Sequence, residues 1–228
     1  MPSLASDLKL QWIGLIGWIV TSTWLLGSII PELIQPGAVW AITASAVIAF
    51  FFSDLLSGTI HWAFDRYGTE DLPVLGPRFI KPFRDHHTDP QSICGHNFIE
   101  TNGDTCIAGM PLLIAGLILD PSDQLFWVSF FFFTSTCGIL TNQFHSWAHE
   151  ENPPKIAKLL QKTGLILDPD HHKKHHSGKC DTNYCITNGH MNPLLERTRI
   201  FQQFEAIFPP IECKEIRSSS TKKPKTTQ

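Results

Sequence analysis

A chain of 228 residues is long enough for one domain with a real core, and at 17% charged residues it falls well below the roughly 25% usual for soluble domains, while Phe (16) and Trp (7) are abundant. A net charge of -3 gives no electrostatic footprint for nucleic acid. The six cysteines are scattered without a CxxC pair, which excludes a zinc ribbon or a thioredoxin-like site and fits reduced thiols; Cys180 and Cys185 read either as extra metal ligands or, more simply, as buried thiols.

Leu10 to Ile30 carries no charged residue. A hydrocarbon core of ~30 Å takes ~20 helical residues, so this is one membrane span. It is too long for a secretory leader, has Lys9 alone as its basic flank, and no small-residue cleavage site follows. Gly37 to Ser53 is also uncharged and continues past Asp54 to His61-Trp62 as a second span. Thr105 to Leu119 is a short third span, and Gln124 to Phe144, with four consecutive Phe at 130–133, is a fourth. If Thr105 to Leu119 is re-entrant, the count is three. The fold class expected is therefore an all-α membrane protein of about four spans with a histidine-rich cap.

Two further segments read as amphipathic helices, packed on the cap or lying on the membrane. In Pro154 to Thr163, Ile156, Leu159 and Leu160 share one side and Gly164 is a stop. Leu194 to Phe208 repeats Ile200, Phe201, Phe204, Ile207 and Phe208 at helical spacing. The polar, basic tail 214–228 reads as disordered. No repeat or linker divides the chain, so residues 1–228 form one domain.

Basic residues orient the spans. The two outer loops, Pro31 to Pro36 and Asp120 to Asp123, hold no Lys or Arg, and all 18 basic residues fall on the other side. Both termini are then cytosolic. The same topology places every histidine on the cytosolic side: His61 ends the second span, His86, His87 and His96 lie in the long loop, and His145 and His149 lie just beyond the fourth span.

The histidines carry the chemistry. In the segment from Asp168 to His176, His171 and His175 stand four apart on one helical face, as do His172 and His176. His145 and His149 repeat that spacing. Asp65 shares a helical face with His61, as a ligand or as an acceptor behind one. A single such histidine is ordinarily a polar residue at an interface. Ten gathered on one edge of a membrane protein are different, because so many buried rings without a ligand would leave many unmet hydrogen bonds. Imidazole suits iron, zinc, copper and nickel alike. Structural zinc is usually closed by four ligands, so ten histidines exceed one zinc site and suit two metals with about five nitrogen ligands each.

A nitrogen-rich site with few carboxylates favours iron that activates dioxygen, although ligand softness leaves zinc and copper open. Asp65, Asp89, Glu100, Asp104 and Asp168 are placed to orient the imidazoles. Asn102 and Asp104 border the third span, either lining a substrate path or capping the helix. A metal centre above membrane helices implies a hydrocarbon-chain substrate, with the protein supplying placement and exclusion of water. A non-catalytic metal-binding or transport protein is the reading from another class, but it would want polar groups near the bilayer midplane, and the spans are almost free of them.

Phe79 to Pro90, the following His96 to Asp104, Asn142 to His149, the His171–His176 cluster and Asn183 to Gly189 together resemble the Kua-type lipid desaturases, in order, over roughly residues 53–208. Within that family the pattern is most similar to the plasmanylethanolamine desaturase branch. The resemblance implies removal of two hydrogens from C1 and C2 of a 1-O-alkyl chain, giving the vinyl ether of a plasmalogen. It also implies two irons, dioxygen as co-substrate, and a small redox protein such as cytochrome b5 as electron donor. The sister possibility is an acyl-lipid desaturase or hydroxylase with the same chemistry. By position, the family's histidine boxes fall on His145 with His149 and on His171, His172, His175 and His176; it is open whether His171 or His172 is the ligand. His61, His86, His87 and His96 match further histidine positions, while His190 falls at an aromatic position of the relatives. Animal relatives suggest the endoplasmic reticulum, and a bacterial source would place the protein in the inner membrane.

Overall fold

The computed structural model describes residues 4–210, with side chains from Leu8 onward. The basic tail expected at 214–228 lies outside the described residues, as does Cys213; the five other cysteines are free thiols. Helix α1 (Leu4–Ile29) closes in a tight turn, Ile30–Ile34, where Pro31 ends regular hydrogen bonding. Gly37 follows at φ 85°, a left-handed corner that reverses the chain into α2 (Ala38–Tyr67). A π-helical turn, Gly76–Ile80, leads into α3 (Lys81–Thr88) and a short turn, Pro90–Ile93.

Then come α4 (Phe98–Ile118), α5 (Pro121–Ile139) and α6 (Thr141–His149), which continues the line of α5 after Leu140. The cap is completed by α7 (Lys155–Lys162), α8 (Pro169–His175), α9 (Asn192–Thr198) and α10 (Ile200–Ile207). All regular elements among the described residues are helical.

Four stretches are long and apolar enough to cross a membrane: Leu8–Ile34, Ala38–Tyr67, Phe98–Ile118 and Pro121–His149. Helix α1 packs on α4, α4 on α5 and α5 on α2. The α1–α4 crossing is close because both helices offer glycine there: a Cβ on Gly14 would stand 2.9 Å from the Gly103 carbonyl oxygen. Polar side chains join the bundle inside. Trp18 Nε1 donates to Ser135 Oγ (2.9 Å), which donates to the Gly109 carbonyl (3.1 Å). Trp24, Trp40 and Ile118 face outward, more than 70% exposed, as lipid-facing residues do.

Several boundaries differ from expectation. The third span begins at Phe98 rather than Thr105, and is a full helix of 21 residues. Its cap is Asn97, whose Oδ1 accepts from Ile99 N (3.0 Å) and Glu100 N (3.1 Å), while the Glu100 side chain accepts from Asn97 N (3.0 Å). Asn102 and Asp104 therefore sit inside α4 and cap nothing. His61 lies within α2 rather than at its end, and His145 and His149 lie on the continuation of the fourth span. At 30 residues α2 is about 45 Å long, so its end projects past a ~30 Å hydrocarbon core.

The helix expected over Leu194–Phe208 is two, broken at Arg199 (φ 52°). The break lets α10 fold onto α2. Phe201 stacks on Trp62 (4.6 Å, 8°), and Glu205 accepts from Trp62 Nε1 (2.8 Å), Arg66 Nε (2.8 Å) and Arg66 Nη2 (2.9 Å). On α7, Ala157 is buried while Ile156 and Leu159 are exposed.

Candidate metal centre

Four helices bring nine metal-ligating side chains to the cap end of the bundle. His61 and Asp65 are one turn apart on α2, and His86 and His87 sit in the last turn of α3. His145 and His149 are one turn apart on α6, His172 and His175 lie on α8, and His176 follows at its C-terminal cap. Asp168 holds α8 in place, because its Oδ1 accepts from His171 N (2.9 Å) with Pro169 at the first helical position.

The nine fall into two groups, and within each the ligand atoms all lie within 4.8 Å of one another. One group is His86, His145, His149, His172 and His176; the other is His61, Asp65, His87 and His175. In the first, His172 Nε2 stands 2.8 Å from His145 Nε2, 2.9 Å from His149 Nε2 and 3.0 Å from His176 Nε2. One neutral ring nitrogen carries either a proton or a lone pair, so such a crowd does not close as hydrogen bonds. His86 Nε2, buried among them, has no partner. Donors about 2.1 Å from one cation lie roughly 3.0–3.4 Å from one another, and these ring nitrogens, 2.8–3.2 Å apart, stand close to that spacing.

The second group makes the same point through its tautomers. His61 Nδ1 lies 3.1 Å from the Tyr184 carbonyl oxygen, and His175 Nδ1 lies 2.7 Å from that of Thr182. A carbonyl only accepts, so both Nδ1 atoms carry the proton and both Nε2 atoms present lone pairs. Those lone pairs face Asp65 Oδ2 at 3.3 Å and 4.0 Å, with His87 Nε2 at 3.4 Å. Asp65 Oδ2 is buried and accepts no hydrogen bond. Lone pairs converging on an anion repel unless a cation stands between them, so the residues present fit a metal ion.

Burial keeps the rings in their ligating form. It lowers His87 to about 4, against a smaller upward pull from Asp65, and lowers His176 to about 3 with help from neighbouring imidazoles. His86, His172 and His175 are likewise lowered by burial first and by nearby imidazoles second.

The structure leaves two expected ligands outside both groups. His96 is exposed, with Nδ1 3.6 Å from Glu100 Oε2. His171 is half-buried and meets Asn192 Nδ2 at 3.0 Å through Nε2, so of the His171–His172 pair it is His172 that enters a group. His190 lies 2.7 Å from the Gly164 carbonyl oxygen. Among the expected orienting carboxylates, Asp89 and Asp168 are exposed and cap turns rather than imidazoles. Asp104 accepts from Arg78 Nε (3.1 Å) and Gln11 Nε2 (3.3 Å). Asn102 is buried and donates to the Phe98 carbonyl (3.0 Å) and Gln143 Oε1 (3.3 Å).

Two cavities adjoin the centre. A cleft of about 480 Å³ is lined by His86 and His145 together with the polar side chains of Arg78, Glu100 and Asp104. A second cavity of about 240 Å³ lies between α2, α4 and α5, lined by Leu56, Ile60, Phe64, Leu112, Gly138 and Ile186. Phe79, Phe83 and Asn142 line both. Asp104 thus reaches the cleft, whereas Asn102 lines neither cavity. Sequence reasoning did not single out Arg78, Tyr184 or Asp54; for Asp54, the one carboxylate within a long uncharged stretch was the available signal.

Four apolar helices under a cap of converging imidazoles define an integral membrane protein with a histidine-rich site fit for metal. Comparison with known proteins agrees on the class and narrows it. Residues 50–218 match the lipid desaturase domain, and the chain belongs to that family. It is 38% identical over 170 residues to a plasmanylethanolamine desaturase of Myxococcus xanthus, covering 74% of this chain and 60% of that protein. It is 36% identical over 195 residues to plasmanylethanolamine desaturase 1 of Mus musculus, covering 82% and 70%. It is 33% identical over 163 residues to the chloroplastic fatty acid desaturase 4 of Arabidopsis thaliana, covering 70% and 49%. No solved structure matches.

Proposed function

We propose that the chain is a dioxygen-dependent desaturase that forms the vinyl ether of plasmalogens from plasmanylethanolamine. The observation that carries this reading is the apolar cavity opening beside the cleft at His86 and His145, in a chain similar to two proteins named for that activity. In the net reaction, the –O–CH2–CH2– unit of the alkyl chain loses two hydrogens while dioxygen, two electrons and two protons give two waters. His86, His145, His149, His172 and His176 would hold one iron, and His61, Asp65, His87 and His175 the other. Two irons bound there would supply the oxidising power that an unactivated C–H bond requires.

The protein's own contribution is placement. The hydrocarbon tail lies in the cavity between α2, α4 and α5, and the glycerol and headgroup lie in the polar cleft. C1 and C2 then rest near Phe79, Phe83 and Asn142, beside the histidines, and the aromatic walls exclude water. The histidine face is cytosolic, with both termini on that side, and electrons arrive there from a small redox protein of the cytochrome b5 kind. The chain acts as one domain with its core at about residues 53–208, in the endoplasmic reticulum or a bacterial inner membrane according to its source.

The test is lipid mass spectrometry with acid hydrolysis, in plasmalogen-deficient cells supplied with a 1-O-alkylglycerol. Acid-labile vinyl ethers that require oxygen are the expected product. A new double bond or hydroxyl on an acyl chain instead, the outcome the plant relative suggests, would move the substrate assignment to acyl lipids.

The tail cavity gives a second expected result. A Cβ added at Gly138 meets nothing within 4 Å and points to open space along the cavity wall. Gly138→Phe should lower kcat/KM for an octadecyl lipid by about tenfold or more while leaving a dodecyl lipid within a few-fold, a difference of about 1.4 kcal/mol. Equal losses on both lengths would remove the tail from this cavity.

A further inference from the structure

Asp54 lies on α2, fully buried, two turns before His61. Its carboxylate touches no histidine, yet it collects four backbone N–H donors from one segment of the cap. Oδ1 accepts from Thr187 N (3.2 Å), Asn188 N (2.9 Å) and Gly189 N (2.9 Å), and Oδ2 accepts from Met191 N (2.9 Å). Gly189, at φ 80°, supplies the left-handed corner that turns these amides toward one point. The segment is tied down further on. Ile186 N donates to Ser57 Oγ (3.2 Å), Asn188 Nδ2 donates to the Phe50 carbonyl (3.0 Å), and Asn192 clasps Cys185 through both backbone groups (2.8 and 3.0 Å). The approach to α2 is so close that a Cβ on Gly58 would stand 3.1 Å from Cys185 N.

The near end of this clamped segment holds the Tyr184 and Thr182 carbonyls that accept from His61 Nδ1 and His175 Nδ1. The five-histidine group lacks such a frame at two positions: His172 Nδ1 and His176 Nδ1 are buried without a partner. We infer that Asp54 is a positioning residue for the three-histidine–aspartate group alone, holding residues 182–192 so that their carbonyls fix His61 and His175 in the tautomer that turns Nε2 to the centre. This rests on the reading of the two groups as metal sites. Acceptors behind ligating imidazoles characteristically govern about 10–100-fold in metal affinity, and here one carboxylate organises two of them at a distance.

The experiment has a metal-free arm and a loaded arm. In metal-free protein with ¹⁵N-labelled histidine, long-range NMR correlations should show His61 and His175 protonated at Nδ1, and Asp54→Ala should convert both to tautomer mixtures. Unchanged tautomers in the variant overturn the inference, whatever metal the protein binds. In the loaded arm, anaerobic titration with Fe(II) should give two irons per wild-type chain. Asp54→Ala should weaken one of them about 10–100-fold and remove one of two Mössbauer signatures, leaving the five-histidine iron in place. Loss of both irons in parallel, or of neither, overturns the inference. A wild-type chain that binds fewer than two irons overturns the two-metal reading instead, and the tautomers still judge Asp54. Asp54→Asn keeps the Oδ1 acceptor for three of the four amides and should restore most of both signals. Asn192→Ala, which loosens the same segment from its other end, should reproduce the Asp54→Ala pattern in milder form.

Discussion

His172→Ala is expected to lower desaturation by at least about 10³-fold, a loss of about 4 kcal/mol of transition-state stabilisation, whereas His96→Ala should stay within about threefold of wild type. The contrast follows from placement. His172 is 1% exposed, and its Nε2 is the one atom of the five-histidine group within 3.0 Å of three other ring nitrogens. Removing it takes away one donor and frees His145, His149 and His176 to pair among themselves, so the remaining four rings no longer converge. His96 is more than half exposed, pairs with Glu100 and lines the cleft, but belongs to neither ligand group. His171→Ala should fall between the two, because His171 touches Asn192, a clasp of the segment behind His175, and no ring nitrogen of either group. Turnover of the three purified variants, with iron per chain measured alongside, checks the order. A His96→Ala enzyme as damaged as His172→Ala would return His96 to the ligand set and require the long loop to close further over the centre.

Much of this arrangement was legible in the chain, for physical reasons that differ from residue to residue. The uncharged run from Leu10 to Ile30 has no other stable home than lipid, and its helix follows. The i, i+4 pair His145 and His149 shares a face on any helix, so its joint presence in one group required only that the helix form. The division into two groups was not legible. It depends on where α3 sends two adjacent rings, His86 into one group and His87 into the other, and adjacent residues on a helix point about 100° apart toward neighbours that sequence does not name.

The start of α4 was misplaced for a local reason. Asn102-Gly103-Asp104 looks like a cap, but Asn97 and Glu100 form the reciprocal cap one turn earlier, and Gly103 serves instead as the place where α1 comes close. Arg199 could not be foreseen as a break, since nothing in its side chain favours φ 52°; the stacking of Phe201 on Trp62 and the Glu205–Arg66 pair hold it there.

Asp65 is where the two groups differ most in chemistry, and its replacement is the second large effect expected. It is the one carboxylate in either group, its Oδ2 is buried without a hydrogen bond, and three imidazole nitrogens lie 3.3–4.0 Å from it. If it only filled the space beside the ion, an amide would serve nearly as well, because an asparagine side chain has the same size and reach. If it is itself a ligand, Asp65→Asn leaves three neutral rings around a divalent ion and removes the only anionic donor, so charge as well as geometry is lost. The expected result is a drop in turnover of about 100-fold or more for both Asp65→Asn and Asp65→Ala, about 2.7 kcal/mol, with one iron per chain retained by the five-histidine group. Iron analysis and Mössbauer spectra of the two variants decide it. An Asp65→Asn protein that keeps two irons and most of its activity would leave the second group with three histidines as its only ligands.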